Sequence, residues 1–182
     1  MQKLYHTDRL TMAALDPCAA PLVLAYLLRN REDFAKYEPA KEDSFYTIAS
    51  QEKVLDAESL LLERGQGVRY YIFLNSDPDT IVGNVSFAHI EGPVCIIGYR
   101  MDSGYRRLGI GYEAVSFLLS ELLGPEGPDM VEADIYPDND ISVRFAEKLG
   151  FRYAGTSLFM GRELKRYTVY NPGKRHLSLS GA

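Results

Sequence analysis

Arg106-Arg107-Leu108-Gly109-Ile110-Gly111 lies between two apolar runs that differ in period. The run before it, Val94-Cys95-Ile96-Ile97-Gly98-Tyr99, reads as a strand. The run after it sets Ala114, Val115, Leu118, Leu119 and Leu122 on one helical face. A strand, a basic turn carrying glycines and then a helix form a local design for holding a pyrophosphate. The glycines let the backbone come close, the first-turn amides are unpaired donors, and the helix dipole favours negative charge. A phosphorylated ligand is therefore expected at this turn.

Outward from the turn the pattern is uneven. Leu10–Ala14 is expected to be a strand, and Asp16-Pro17 starts a helix through Ala19–Leu28, with Asp as N-cap and Pro at the first position. Arg29–Ser44 reads as a short helix and loop, and Thr47–Arg64 as a helix stopped at Gly65-Gln66-Gly67. Val68–Leu74, Ile81–Ile90 and Val94–Met101 follow with turns at Asn75–Asp79 and Glu91-Gly92-Pro93, which implies an antiparallel meander. Beyond the Gly109–Leu123 helix come a break at Gly124–Pro128, a strand at Val131–Tyr136 and a helix at Asp140–Leu149. Two further strands, Phe151–Phe159 and Leu164–Tyr170, close the pattern. No linker or repeat divides residues 1–182, so one domain of mixed α and β structure is expected, with 171–182 as a tail.

Composition narrows the partners. The chain has 182 residues, 46% of them hydrophobic, and a net charge of −5, which argues against a nucleic-acid partner held by bulk charge. Cys18 and Cys95 make no disulfide framework, so reduced thiols and a cytoplasmic location are expected. The longest apolar stretch, Ala19–Leu28, is too short to span a bilayer and has no basic leader before it. His6, His89 and His176 are scattered, so no metal site is expected.

Gly109-Ile110-Gly111-Tyr112-Glu113-Ala114 also fits a dinucleotide pattern, G-x-G-x-x-A, with Glu132 and Asp134 farther on. A doubly wound unit would place that turn directly after its first strand and repeat the βαβ half. Here the turn falls after a meander, and the chain ends in an antiparallel pair. An NAD-type ligand is thus the weaker reading.

Arg-x-x-Gly-x-Gly resembles the coenzyme A pyrophosphate loop of the GNAT acetyltransferases. Thr7-Asp8-Arg9-Leu10 is similar to the opening strand of their ribosomal-protein N-acetyltransferase branch, the RimJ/RimL type. Ile97-Gly98-Tyr99 through Gly111-Tyr112-Glu113-Ala114 resembles that branch's strand, loop and helix. Asn139-Asp140-Ile141-Ser142 with Glu147-Lys148-Leu149-Gly150-Phe151 resembles its second signature. The resemblance implies a mixed, mostly antiparallel twisted sheet flanked by helices, with a parallel pair splayed at the acetyl-CoA site. It implies acetyl transfer from acetyl-CoA, without a metal, by direct attack of a primary amine, most of all a protein N-terminal α-amine. A small amine such as a polyamine, amino acid or antibiotic is the alternative acceptor, and a noncatalytic acyl-CoA-binding module is the rival class. An oligomer is compatible with the sequence.

By the same resemblance, backbone groups of Tyr99, Arg100 and Met101 meet pantetheine and the acetyl oxygen. Arg106, Arg107, Leu108, Gly109, Ile110, Gly111 and Tyr112 cradle the pyrophosphate. Many family members place a Tyr seven residues after the Asn to protonate the thiolate; here that position is Ala146. Ser142 is the substitute the branch suggests, against a plain packing role. Asn139 either contacts the cofactor or caps its helix. Phe34, Tyr37 and Glu38 resemble the acceptor segment, with Glu38 available to a cationic amine, or are simply a helix end and loop. No base is assigned: the branch often has Glu where this chain has Ala154, and Glu132 and Asp134 read equally as solvated edge residues. An α-amine, with a pKa of roughly 7.7–8 against roughly 10.4 for lysine, needs only a weak base.

Overall fold

A computed structural model describes residues 1–39 and 41–174 of the chain. Eight strands form one sheet in the order β1-β2-β3-β4-β5-β6-β8-β7. Their spans are β1 (Leu4–His6), β2 (Leu10–Ala13), β3 (Gly67–Leu74), β4 (Asp77–Ala88), β5 (Val94–Met101), β6 (Met130–Ile135), β7 (Arg152–Phe159) and β8 (Arg162–Tyr170). Every neighbouring pair is antiparallel except β5 and β6. The helices are α1 (Ala20–Arg29), α2 (Arg31–Phe34), α3 (Ile48–Glu63), α4 (Ile110–Leu122) and α5 (Asp140–Lys148).

Strand alternation sends two sets of side chains to opposite faces. Val85, Cys95 and Ile97 join Ala114, Val115 and Leu118 of α4 in the larger apolar cluster. Tyr71, Phe73 and Ile81 face the other way, against Val23 and Tyr26 of α1 and Leu55 of α3. The sheet is thus the middle layer, and both helical layers bury apolar surface against it.

Three local expectations are corrected. Asp16 does cap, its Oδ1 accepting from the Cys18 N–H at 3.0 Å, but it caps a 3-10 turn, and the α-helix begins only at Ala20. The second proline of the stretch, Pro21, sits in the first turn of that helix, where its missing N–H costs nothing. Asp77–Asp79 belong to β4 and not to a turn, because the β3–β4 connection tightens to Asn75-Ser76. Asn75 anchors that connection to the first hairpin: its N–H donates to the Arg9 carbonyl at 2.8 Å and its amide to the carbonyls of Thr7 and Asp8. β1, with three residues, is too short to show a period, and its pairing with Thr11–Ala13 carries it. At the other end Asn171 is buried, donating to the Gly124 and Pro128 carbonyls at 3.0 Å. The part of the expected tail from 175 to 182 lies outside the described residues.

Candidate active site

β5 and β6 are paired only through Val94–Met130, Cys95–Val131 and Ile96–Glu132. From Ile97 onward β5 stays with β4 and β6 stays with β8, so the two parallel strands part and open a wedge in the sheet. The β6-facing edge of Ile97–Met101 is left without a strand partner.

At the end of β5, Asp102 turns the chain. Its carboxylate accepts from Arg29 Nε (2.6 Å), Asn30 Nδ2 (2.9 Å) and the Gly104 N–H (2.9 Å). Burial pushes the carboxyl pKa up, but those donors outweigh it and hold the pKa below the usual carboxylate range. The loop then runs to α4 with Arg107 at φ 63° and Gly109 at φ 78°. Alternate left-handed residues direct successive N–H groups into one concavity. Among the described residues, no backbone or side-chain acceptor takes the N–H groups of Arg107 through Tyr112. A row of free donors at a helix N-terminus is a site built for an anion.

The opening strand clamps this loop. Arg9 Nε and Thr7 Oγ1 both bind the Glu113 carboxylate in the first turn of α4, and Arg9 Nη1 donates to the Leu108 carbonyl at 3.2 Å. Thr7-Asp8-Arg9-Leu10, noticed in the sequence only as a resemblance, thus has a mechanical role.

The two loop arginines part company. Arg107 is exposed and has no side-chain partner among the described residues. Arg106 donates to the Met101 carbonyl at 3.3 Å and pairs with Asp33 of α2 at 2.8 Å, so its guanidinium faces α2. Leu108 and Tyr112 are exposed at the rim, where Lys148 Nζ of α5 lies 4.5 Å from the Tyr112 ring.

Inside the wedge, Tyr99 crosses to α5. Ser142 Oγ donates to the Tyr99 hydroxyl at 3.1 Å, and that hydroxyl donates to the Ser142 carbonyl at 3.3 Å. The Tyr99 ring packs edge-on against Phe145 with centroids 4.9 Å apart. Burial pushes the phenol up to about 12, so it keeps its proton at neutral pH. The family resemblance points to the Tyr99 backbone and not to this hydroxyl; the parity of Tyr99 with Cys95 and Ile97 is the sequence signal that puts its ring on the α5 side. Asn139 caps α5, its Oδ1 accepting from the Ser142 N–H at 3.1 Å, and so fixes where Ser142 stands.

Phe34, Tyr37 and Glu38 are brought to the opposite face of the wedge. Arg100 Nη1 binds both Glu38 oxygens, at 2.8 and 3.0 Å, with its guanidinium 5.0 Å from the Phe34 ring. Tyr37 packs 6.3 Å from Tyr136, which also carries Arg162 over its ring. Glu38 is therefore engaged by an arginine. The same holds across the wedge: Arg166 of β8 forks onto Asp134 at 3.0 Å and reaches Glu132 at 3.2 Å. Cys95 is buried, its thiol pushed up to about 12, which removes it as a nucleophile. Among the described residues no group of His, Cys, Asp and Glu could hold a metal ion.

This architecture has known counterparts. A family model described as an acetyltransferase (GNAT) domain matches residues 9–152. The chain belongs to the GNAT acetyltransferase family. The Probable N-acetyltransferase YjcK of Bacillus subtilis is 32% identical over 129 residues, which cover 69% of this chain and 71% of that protein. Among solved structures, the ribosomal-protein-S5-alanine acetyltransferase from Vibrio fischeri superposes with a TM-score of 0.85 at 20% identity, covering 94% of this chain and 98% of that one. RimL, the ribosomal L7/L12 alpha-N-protein acetyltransferase in complex with coenzyme A, gives 0.80 at 20% identity, over 92% and 97%. The mixed sheet with one parallel pair is thus the GNAT fold, and the protein is an N-acetyltransferase. No helix of the described residues is long and apolar enough to cross a membrane.

Proposed function

We propose that this N-acetyltransferase acetylates the α-amine at a protein N-terminus, using acetyl-CoA. The observation that carries the cofactor assignment is the concavity of unengaged N–H groups from Arg107 to Tyr112, opening beside the β5–β6 wedge. Those donors, with the exposed Arg107, would hold the pyrophosphate of acetyl-CoA, whose thioester supplies the acetyl group. The free edge of Tyr99–Met101 offers the N–H that stabilises charge on the acetyl oxygen, an effect worth a few kcal/mol in acyl transfer.

The proton for the departing thiolate comes from the Ser142 hydroxyl. Its partner, the Tyr99 hydroxyl, can turn to donate to Ser142 Oγ, and water, which takes up the proton lost by the amine, returns one to the Tyr99 oxygen, so no net proton is consumed. Ala146 lacks the side chain for that task, and this hydroxyl pair stands in its place.

The acceptor class rests on the carboxylates. Glu38, Glu132 and Asp134 are all held by arginines, so none is free to act as the committed base that a protonated lysine or polyamine would require. An α-amine has a substantial neutral fraction near pH 7–8 and can lose its proton to water on attack.

The test has two stages. Thermal unfolding with acetyl-CoA, coenzyme A and NAD should show stabilisation by the first two only, about 2.7 kcal/mol at a hundredfold excess over Kd. Acetylation of a panel of N-terminal peptides, lysine peptides with blocked N-termini and polyamines should then favour free α-amines. Transfer confined to polyamines or lysine would overturn the acceptor assignment.

A further inference from the structure

Arg100 carries a guanidinium beside the wedge that Glu38 engages at one nitrogen only. Its backbone lies on the free edge of β5, yet alternation points its side chain away from Tyr99 and α5, to the face shared with Gly98 and Ser86. There Glu38 grips it through Nη1 alone. Nε and Nη2 donate to nothing among the described residues, and neither is one of the buried atoms left without a partner, so both are open to a ligand. These two nitrogens form the side-on edge of a guanidinium, two parallel donors spaced to match the two oxygens of a carboxylate.

The surroundings hold the guanidinium still. Glu38 fixes one end and the Phe34 ring lies 5.0 Å from its centre, which reduces the rotamer freedom a ligand must quench. The path from Arg100 along the face is open. Gly98 is exposed, and a Cβ there would meet only Ser86 Oγ, at 3.0 Å. A second arginine on the face, Arg69, is paired with Glu58 at 2.8 Å. A cationic acceptor would find its carboxylates already neutralised. A carboxylate near the amine would find an unspent donor edge.

We infer that Arg100 is a specificity-determining residue that binds a carboxylate carried close to the reacting amine. The inference rests on the acceptor reading above and sharpens it: the preferred acceptor is an N-terminal peptide with Asp or Glu at its first or second position. The α-carboxylate of a free amino acid has the same chemistry and is the other source. Glu38 is a positioning residue whose charge also weakens the pull on the anion.

The experiment measures kcat/KM, with acetyl-CoA saturating, for a peptide acidic at position one, one acidic at position two, the matching amide peptide of each, and free aspartate. At least one acidic peptide should exceed its amide partner on the order of tenfold, the worth of one charge-assisted contact. Preference for free aspartate over every peptide would assign the carboxylate to an amino acid. Arg100→Gln should bring the acid-to-amide ratio to near one, and Arg100→Lys should restore part of it. Glu38→Gln should raise the ratio, whereas a Glu38 that binds the amine directly would leave the ratio unchanged and raise KM for all peptides alike. Equal rates for acidic and amide peptides overturn the role of Arg100 and leave the N-terminal reading standing. Failure to acetylate any of them while acetyl-CoA binds overturns both.

Discussion

Asp102 joins the two halves of the site, and its replacement by Asn tests that joint. The carboxylate is 3% exposed and takes three hydrogen bonds, from Arg29, Asn30 and the Gly104 backbone. Arg29 and Asn30 share Oδ2 and the Gly104 N–H takes Oδ1. Asn is isosteric and its one oxygen serves either that pair or Gly104; with the pair kept, the NH2 group faces the Gly104 N–H, so one contact becomes a donor–donor clash and the other two lose the charge that strengthened them. A hydrogen bond to a charged group is worth about 1.5–3 kcal/mol net. Arg29 is 42% exposed and recovers much of its loss from water. The expected cost is therefore about 2–3 kcal/mol, or roughly 5–10 °C in Tm for a domain of this size. Urea unfolding of wild type and Asp102→Asn at pH 7 measures it directly. The native carboxyl is more acidic than the unfolded one, so its contribution is present above the ordinary carboxylate pKa of about 3.9 and fades as pH falls through the native value. The two proteins should converge in that acid range. A difference below about 0.5 kcal/mol at pH 7, or one independent of pH down to the acid limit, would refute the reasoning.

Three further outcomes follow from particular geometries. Gly109→Ala forces an L residue to φ 78° and should cost about 1 kcal/mol and weaken acetyl-CoA binding, while Gly111→Ala, whose new Cβ meets the flexible Met101 side chain at 3.2 Å and the Phe145 ring at an ordinary 3.8 Å, should unfold within about a degree of wild type; equal Tm losses would refute the assignment. Tyr99→Phe should lower kcat about tenfold with KM for acetyl-CoA unchanged, and Ser142→Ala in the same background should add little, because the two hydroxyls act as one unit; additive losses in kcat would separate them. A thiol-specific reagent should label Cys18 in the native protein and Cys95 only after denaturation, since one is exposed and the other fully buried, although Asp16 pushes the Cys18 thiol up and slows it; labelling of both in the native state would contradict the packing beneath β5.

The parts legible in the sequence were those in which a single element carries its own signal. The α4 face, the meander and the glycines of the loop each follow from local period or backbone freedom, and each stands where the pattern placed it. What escaped depends on pairs far apart in the chain. That Arg106 reaches Asp33, that Glu38 is spent on Arg100, and that Arg166 holds Asp134 are facts of register and loop path, which no spacing encodes. β1 escaped because three residues are fewer than two periods of a strand. The Tyr99–Ser142 contact lay between these cases, since parity told which face Tyr99 occupies but not that α5 crosses it there.

The long-range pairs share a direction. Arg100, Asp102 and Arg106 all lie between the free edge of β5 and the anion cradle, and all three reach the stretch from Arg29 to Glu38. The residues on the loop side of the wedge are thus tied directly to that stretch. A shift in the loop on cofactor binding would be transmitted through Asp102, whose network is buried and stiff, more than through Arg106, which is exposed and bonded to Met101 only at 3.3 Å. Arg106 can leave Asp33 without stranding it, because Asp33 keeps a second cation, Lys36, at 2.7 Å. Release of Arg106 would then leave α2 neutralised and still tied to the core through Asn30 and Arg29. The stretch that carries Phe34, Tyr37 and Glu38 thus keeps its tie to the end of β5 whether or not Arg106 stays paired.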